Sequence, residues 1–276
     1  MTFSIVARAI DPDTAEPCWG VAVASKFLAV GAVVPAAVAG VGAVATQAEA
    51  NVAYKGLALA HLDDGATAEV ALQRLLEEDE GRDHRQVGVV DLDGRSASHT
   101  GAACLEWAGS AIGEGYAAQG NVLAGPEVLD AIEQTWRESD PAEPLAHRLL
   151  TALAAGDEAG GDSRGRQSAA LLVVREGAGY GGRDDIAVDL RVDDHPEPIA
   201  ELARLLELNE LYLTASTEEE RVPVTPEIEA DLAAFAAAAG ARDVHAWVGR
   251  ENFEMRVADD LSWIDRRILA IVRGER

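Results

Sequence analysis

Apolar positions along the chain gather into short β-type runs at its start and into longer stretches with helical spacing further on. Residues 2–9 and 19–26 are β-rich and are separated by the turn cluster Asp11-Pro12-Asp13-Thr14, so the chain opens with a hairpin. A third run, 40–46, is built from Gly, Ala, Val and Thr and predicts a buried strand. Residues 51–62 and 67–78 carry their apolar side chains at helical spacing, with Asp63-Asp64-Gly65 as the break and Thr67 as an N-cap. Residues 86–91 and 95–100 flank Asp93-Gly94, the strongest short hairpin signal in the chain, and predict the start of a second sheet. A second helix pair follows at 126–137 and 142–155, and closing strands at 168–176 and 186–192.

That order of strands, two helices, strands, two helices and strands predicts an α+β fold with two sheets, each covered on its outer face by a helix pair: a four-layer αββα sandwich. A doubly wound α/β fold would need single strands and helices in alternation. Residues 199–213 form a further amphipathic helix after Pro196 and Pro198, and 216–221 is a charged stretch. The expected organisation is a main domain over 1–213, a linker over 214–224 and a small, mainly helical module over 225–276, short enough to be marginal alone.

With 276 residues, 48% of them hydrophobic, the chain can bury at least one full core. Its formal charge of −25, from 48 acidic against 23 basic residues, repels phosphate backbones and anionic lipid heads, which argues against nucleic acid and membrane as partners. Cys18 and Cys104 read as reduced, packed thiols rather than a disulfide framework. His61, His84, His99, His147, His195 and His245 show no paired spacing, so neither a metal nor another cofactor is expected. The apolar stretch 21–44 is interrupted by Lys26, Pro35 and several glycines, so it is neither signal peptide nor span, and a cytoplasmic location is expected.

Candidate chemistry begins at residue 2. Once Met1 is removed, Thr2 combines a hydroxyl nucleophile with an α-amine whose unperturbed pKa of about 8 lets it take the hydroxyl proton. Lys26 ends the second strand of the hairpin and is one of only two lysines; an ammonium near Thr2 would lower both pKa values. Gln119-Gly120-Asn121 and the run 161–168, with Asp162, Arg164, Gln167 and Ser168, supply amide donors and a carboxylate at sheet ends, where glycine lets a backbone N–H approach a carbonyl. The same residues also fit plainer roles: threonine is common in strands, a strand lysine often snorkels, and both polar runs suit helix-to-strand turns.

The opening run 2–8, the stretches 20–35 and 40–47, and the segments Gln119-Gly120-Asn121 and Asp162-Ser163-Arg164-Gly165 resemble the DUF1028 family over about residues 2–213. The resemblance implies the N-terminal-nucleophile hydrolase fold. A looser similarity to proteasome β-type peptidases implies Thr2 as nucleophile, Lys26 as the residue that lowers its pKa, Asp162 as the carboxylate that orients the amine, and Asn121 at the place of a helping serine. Where those peptidases carry an acid on the second strand, this chain has Ala24-Ser25. The expected function is hydrolysis of an amide bond in a small acyl-amino or peptide substrate, with Ser25, Gln47, Gln119, Arg164, Gln167 and Ser168 as substrate-binding residues. The alternative is a non-catalytic ligand-binding or oligomerisation scaffold of the same fold, and a homo-oligomer is expected in either case. Residues 247–254 and 263–265 are similar to a module named for peptidoglycan binding; Trp247, Phe253 and Trp263 are expected in its core.

Overall fold

The computed structural model describes residues 2–275. The described residues fall into two compact units that divide between Leu205 and Leu206. In the first, the opening hairpin forms β1 (Thr2–Ile10) and β2 (Pro17–Ser25), followed by a short helix α1 (Val30–Val33), β3 (Pro35–Val38) and β4 (Gly42–Ala48). Helices α2 (Ala53–Asp63) and α3 (Ala68–Glu77) lead to β5 (Arg85–Asp91), β6 (Ser96–Thr100), β7 (Gly109–Gly113) and β8 (Tyr116–Asn121). Then come α4 (Glu127–Glu138), α5 (Leu145–Glu158), β9 (Ser168–Val174), β10 (Ile186–Val192) and α6 (Pro198–Tyr212), within which the two units divide.

The unit is mixed α and β with antiparallel sheets. One sheet has six strands in the order β10-β9-β2-β1-β8-β7, the other four in the order β3-β4-β5-β6. The second sheet therefore begins at β3, earlier than the hairpin around Asp93-Gly94 suggests, and β5 and β6 extend it. Gly94 does take the left-handed conformation at the tip of that hairpin. Asp91 accepts from Asp93 N and Arg95 N across the turn and from Ala68 N at the head of α3, so one carboxylate sets both the turn and the helix start.

Strand periodicity divides the apolar residues between two interiors. From β1, β2, β4, β5, β8 and β9, side chains including Val6, Trp19, Val21, Val23, Ala43, Ala45, Val90, Ala117 and Ala170 meet where the sheets pack together. Val44, Val87, Val89 and Ala97 point the other way, onto Tyr54, Ala58 and Leu62 of α2 and Ala71, Leu72 and Leu75 of α3. Thr67 caps α3, its Oγ1 accepting from Val70 N at 3.3 Å. Helix α5 packs on β1, β2 and β9, and α4 on β7 and β8. A clamp joins α2 to β5: Asp79 accepts from Arg85 Nε at 2.9 Å, Tyr54 Oη at 2.8 Å, Asn51 Nδ2 at 3.2 Å and Gly81 N at 2.7 Å. The Arg85 hydrogen bond, helped by the others against the opposing effect of burial, holds the Asp79 carboxyl well below the usual carboxylate range.

The second unit contains the end of α6, β11 (Arg221–Pro223), α7 (Pro226–Ala238), α8 (Val244–Glu251), β12 (Trp263–Asp265) and α9 (Arg266–Arg273). Trp247 stands edge-on to Phe235 and Phe253, and Phe253 stacks on Tyr212. Trp247 and Phe253 are buried, whereas Trp263 is half-buried with Arg221 4.4 Å above its ring. Buried Arg256 pairs with Asp265 at 2.7 Å and Glu220 at 3.0 Å, which satisfies a charge that would be costly alone. Among the described residues no helix is long and apolar enough to cross a membrane.

Candidate functional site

The face of each strand that enters the inter-sheet space changes character along its length. In β1 the inward positions run Thr2, Ser4, Val6; in β8 they run Asn121, Gln119, Ala117, directly opposite in register. The inward side of β4 carries Gln47 beyond Ala43 and Ala45, and β5 begins with Gln86 before Gly88 and Val90. One end of the inter-sheet space is thus apolar and the other polar. Thr2, Ser4, Ser25, Gln47, Gln86, Gln119, Asn121 and Ser168 are all buried there.

Buried amides are tolerable only when they satisfy one another, and here they form a directed chain. Gln119 Nε2 donates to Ser4 Oγ at 2.6 Å, Ser4 Oγ to Gln47 Oε1 at 2.7 Å, and Gln47 Nε2 to Gln86 Oε1 at 2.8 Å. Gln86 Nε2 in turn donates to the Gly120 carbonyl at 2.8 Å and Thr100 Oγ1 at 2.9 Å. Asn121 Nδ2 joins at Gln86 Oε1, 2.9 Å away. The Thr2 carbonyl accepts from Gln47 Nε2 at 3.3 Å and from Asn121 Nδ2 at 3.4 Å. The backbone of the candidate nucleophile is therefore held by two side-chain amides from two strands, while its hydroxyl lies 3.2 Å from Ser25 Oγ. Gln119 Oε1 is buried with no hydrogen-bond partner among the described residues. Gly88 opposite it leaves the space the amide occupies, for a Cβ there would stand 2.0 Å from Gln119 Oε1.

Ser25, rather than Lys26, faces Thr2. The pairing of β1 with β2 sets Phe3 against Ala24, and strand alternation turns the next residue, Ser25, inward. β2 ends there; Lys26 is exposed, and its Nζ donates to the Arg166 carbonyl at 3.2 Å. Asp162 accepts from the Lys26 backbone N–H at 2.7 Å, from Arg164 N at 3.0 Å and from the Arg164 guanidinium, so this carboxylate fixes the chain immediately after Ser25. Ser168 pairs with Ser25 across β9, and its hydroxyl bonds Phe27 O and Val30 N, shaping the turn beyond Lys26. Arg164 is exposed, and Gln167 donates to Asp194 Oδ1 at 3.1 Å, away from the amide chain. Thr2 itself is 5% exposed; a cavity of about 10 Å³ bounded by Phe3, Ser25, Asp162 and Ser168 lies at the end of β2, at the lower limit for one water, and Thr2 does not line it.

Of the residues singled out in the sequence, Thr2, Ser25, Gln47, Gln119 and Asn121 come together, and Asp162 and Ser168 brace them. The stretch 119–121 does so as the inner end of β8, paired with β1, and not as a turn. Gln86, which accepts from both Gln47 and Asn121, was not legible as a site residue; its signal is a lone amide just ahead of the apolar run Val87-Gly88-Val89-Val90.

The family model described as a family of unknown function, DUF1028, matches residues 2–202. A crystal structure of protein SPO2555 from Silicibacter pomeroyi, matched by the same family model, superposes with a TM-score of 0.66 at 34% identity, covering 76% of this chain and 89% of that one. Anbu (ancestral beta-subunit) from Yersinia bercovieri aligns with a TM-score of 0.33 at 10% identity, covering 75% of this chain and 94% of its own. An Anbu Gly-1 mutant from Hyphomicrobium sp. strain MC1 aligns with 0.34 at 11%, covering 75% and 94%. No curated protein matches the chain.

Proposed function

Because this chain belongs to the DUF1028 family, a family of unknown function, its activity has to be read from the site, and we propose that it is an N-terminal-nucleophile amide hydrolase in which Thr2 becomes the reactive residue once Met1 is removed. The succession of helix pair, four-stranded sheet, six-stranded sheet and helix pair supports reading the first unit as the four-layer αββα sandwich of that superfamily. The observation that carries the proposal is the setting of residue 2: it opens a central strand, its carbonyl is held by Gln47 and Asn121, and its hydroxyl is set against Ser25.

In the proposed reaction Thr2 Oγ1 attacks the amide carbonyl of a small acyl-amino compound or peptide, and the α-amine of Thr2 takes the hydroxyl proton. The amine passes that proton to the leaving nitrogen as the C–N bond breaks, leaving an ester on Thr2. Water then adds to the ester carbon and gives a proton to the same amine; the acyl C–Oγ1 bond breaks, Oγ1 takes that proton back from the amine, and the acid leaves. Ser25 orients the hydroxyl; Asn121 and Gln47 fix the backbone from which the amine extends. Asp162 holds the end of β2 in place, and Lys26 contributes its charge at the rim rather than against the hydroxyl.

A second reading, a scaffold in which the amide chain serves only to fix the fold, is favoured by the 5% exposure of Thr2. Labelling with a threonine-directed β-lactone separates the two. An adduct on Thr2 of the native protein that is absent from Thr2→Ala supports the hydrolase. Equal labelling of both proteins, or none of either, supports the scaffold.

A further inference from the structure

At the turn joining β7 to β8, away from the polar end of the inter-sheet space, lies a groove of about 510 Å³. Ile112, Gly113 and Glu114 of the hairpin form one wall, and Trp136, Pro141 and Arg148 from the α4–α5 segment form the other. Arg148 is only 9% exposed, and its guanidinium carbon lies 4.2 Å from the centroid of the Trp136 ring. Its Nε donates to Ser139 Oγ at 2.8 Å, and that hydroxyl donates to the Trp136 carbonyl at 2.7 Å. Stacking and the Nε bond together fix the plane of the guanidinium.

Among the described residues no carboxylate is in ion-pair contact with Arg148, although Asp140 and Glu143 lie close enough to favour its charged form. Of the two carboxylates that share the groove, Glu114 and Glu133, the second is engaged by the Tyr116 hydroxyl at 2.7 Å. Burial pulls the guanidinium below the usual arginine range, but arginine remains protonated at neutral pH. A charge taken this far out of water with no carboxylate in contact with it is costly. Its two terminal nitrogens have the spacing of a carboxylate's two oxygens.

We propose that this groove is a binding site, separate from Thr2, for a small carboxylate ligand whose oxygens meet the Arg148 terminal nitrogens and whose apolar part lies along Trp136, Ile112 and Pro141. A singly charged group fits better than a phosphate dianion, since Glu114 and Glu133 on the wall offset the second lining cation, Arg137, and the chain has a formal charge of −25.

Hexanoate is the probe, titrated into the full chain at constant ionic strength and followed by calorimetry and tryptophan fluorescence, with hexanamide and inorganic phosphate as controls. Saturable hexanoate binding is expected, at least ten-fold tighter than either control. Thr2→Ala should bind it unchanged, which separates this site from the proposed hydrolase. Ile112→Glu, at a position 49% exposed, places a carboxylate at the mouth without disturbing the core and should weaken binding more than ten-fold with an unaltered circular dichroism spectrum. Arg148→Met should lose it as well. Equal binding of hexanoate and hexanamide, absence of hexanoate binding, phosphate binding as tightly as hexanoate, or full affinity in Ile112→Glu would each overturn the proposal.

Discussion

Replacing Gly88 by alanine tests whether the amide chain between the sheets is built to fit. In an ordinary strand position that change stabilises by about 0.5–1 kcal/mol, because glycine loses more backbone freedom on folding. Here the added Cβ would lie 2.0 Å from Gln119 Oε1 and 2.6 Å from Gln119 Cδ. The Gln119 side chain is fully buried and tied by Nε2 to Ser4 Oγ at 2.6 Å, so it cannot swing into solvent and must give up that bond or push the sheets apart. Overpacking costs about 1–3 kcal/mol, and the lost hydrogen bond about 1 kcal/mol more. Against the glycine gain, the net destabilisation is about 2 kcal/mol. For a unit of this size that lowers the melting temperature by roughly 4–8 °C. Urea unfolding of the wild type, Gly88→Ala, Gln119→Ala and the double variant measures it directly. In the Gln119→Ala background the obstacle is gone, so Gly88→Ala should become neutral or stabilising, with a coupling of about 2–3 kcal/mol. Equal effects of Gly88→Ala in both backgrounds, or a single variant more stable than the wild type, would refute the steric argument.

Ser25→Ala removes the group 3.2 Å from the Thr2 hydroxyl; the rate of β-lactone labelling at Thr2 should fall roughly ten- to a hundred-fold and its pH profile should shift, while the urea midpoint changes little. Asp79→Asn breaks the clamp to Arg85, a partly buried ion pair, and should destabilise the chain by roughly 3 kcal/mol at pH 7. Since the folded-state pKa of Asp79 is depressed, the carboxylate's contribution is fully present above the ordinary aspartate value of about 3.9 and is lost as pH falls through the folded value. The gap between wild type and variant, measured by urea titration from pH 7 downward, should therefore close only below about pH 4.

Much of the scaffold is legible in the chain because local chemistry and pattern agree. The turn cluster at 11–14 marks the first hairpin, Asp93-Gly94 marks another, and Thr67 caps the helix it precedes. β8 was not legible, because Gln119-Gly120-Asn121 is poor in β-formers and its polar residues point inward, against the usual alternation. The short strand β3 and the edge strand β7 lack an apolar run of their own and exist through pairing with β4 and β8. At the site a single residue mattered: extending β2 to residue 26 puts Lys26 beside Thr2, while the observed end at Ser25 sends the lysine to the surface and the serine inward. Gln47, Gln86 and Asn121 come from three strands in two sheets, so their convergence belongs to the packing of the sheets and has no local signature.

The central claim requires a free chain end at residue 2. Intact-mass analysis of the natively expressed protein, with fragmentation of its N-terminal peptide, reads that directly. A chain beginning at Thr2 with an unblocked amine is the predicted result. A chain that keeps Met1 would leave Thr2 in an ordinary peptide bond, with no amine to act as base, and would contradict the account.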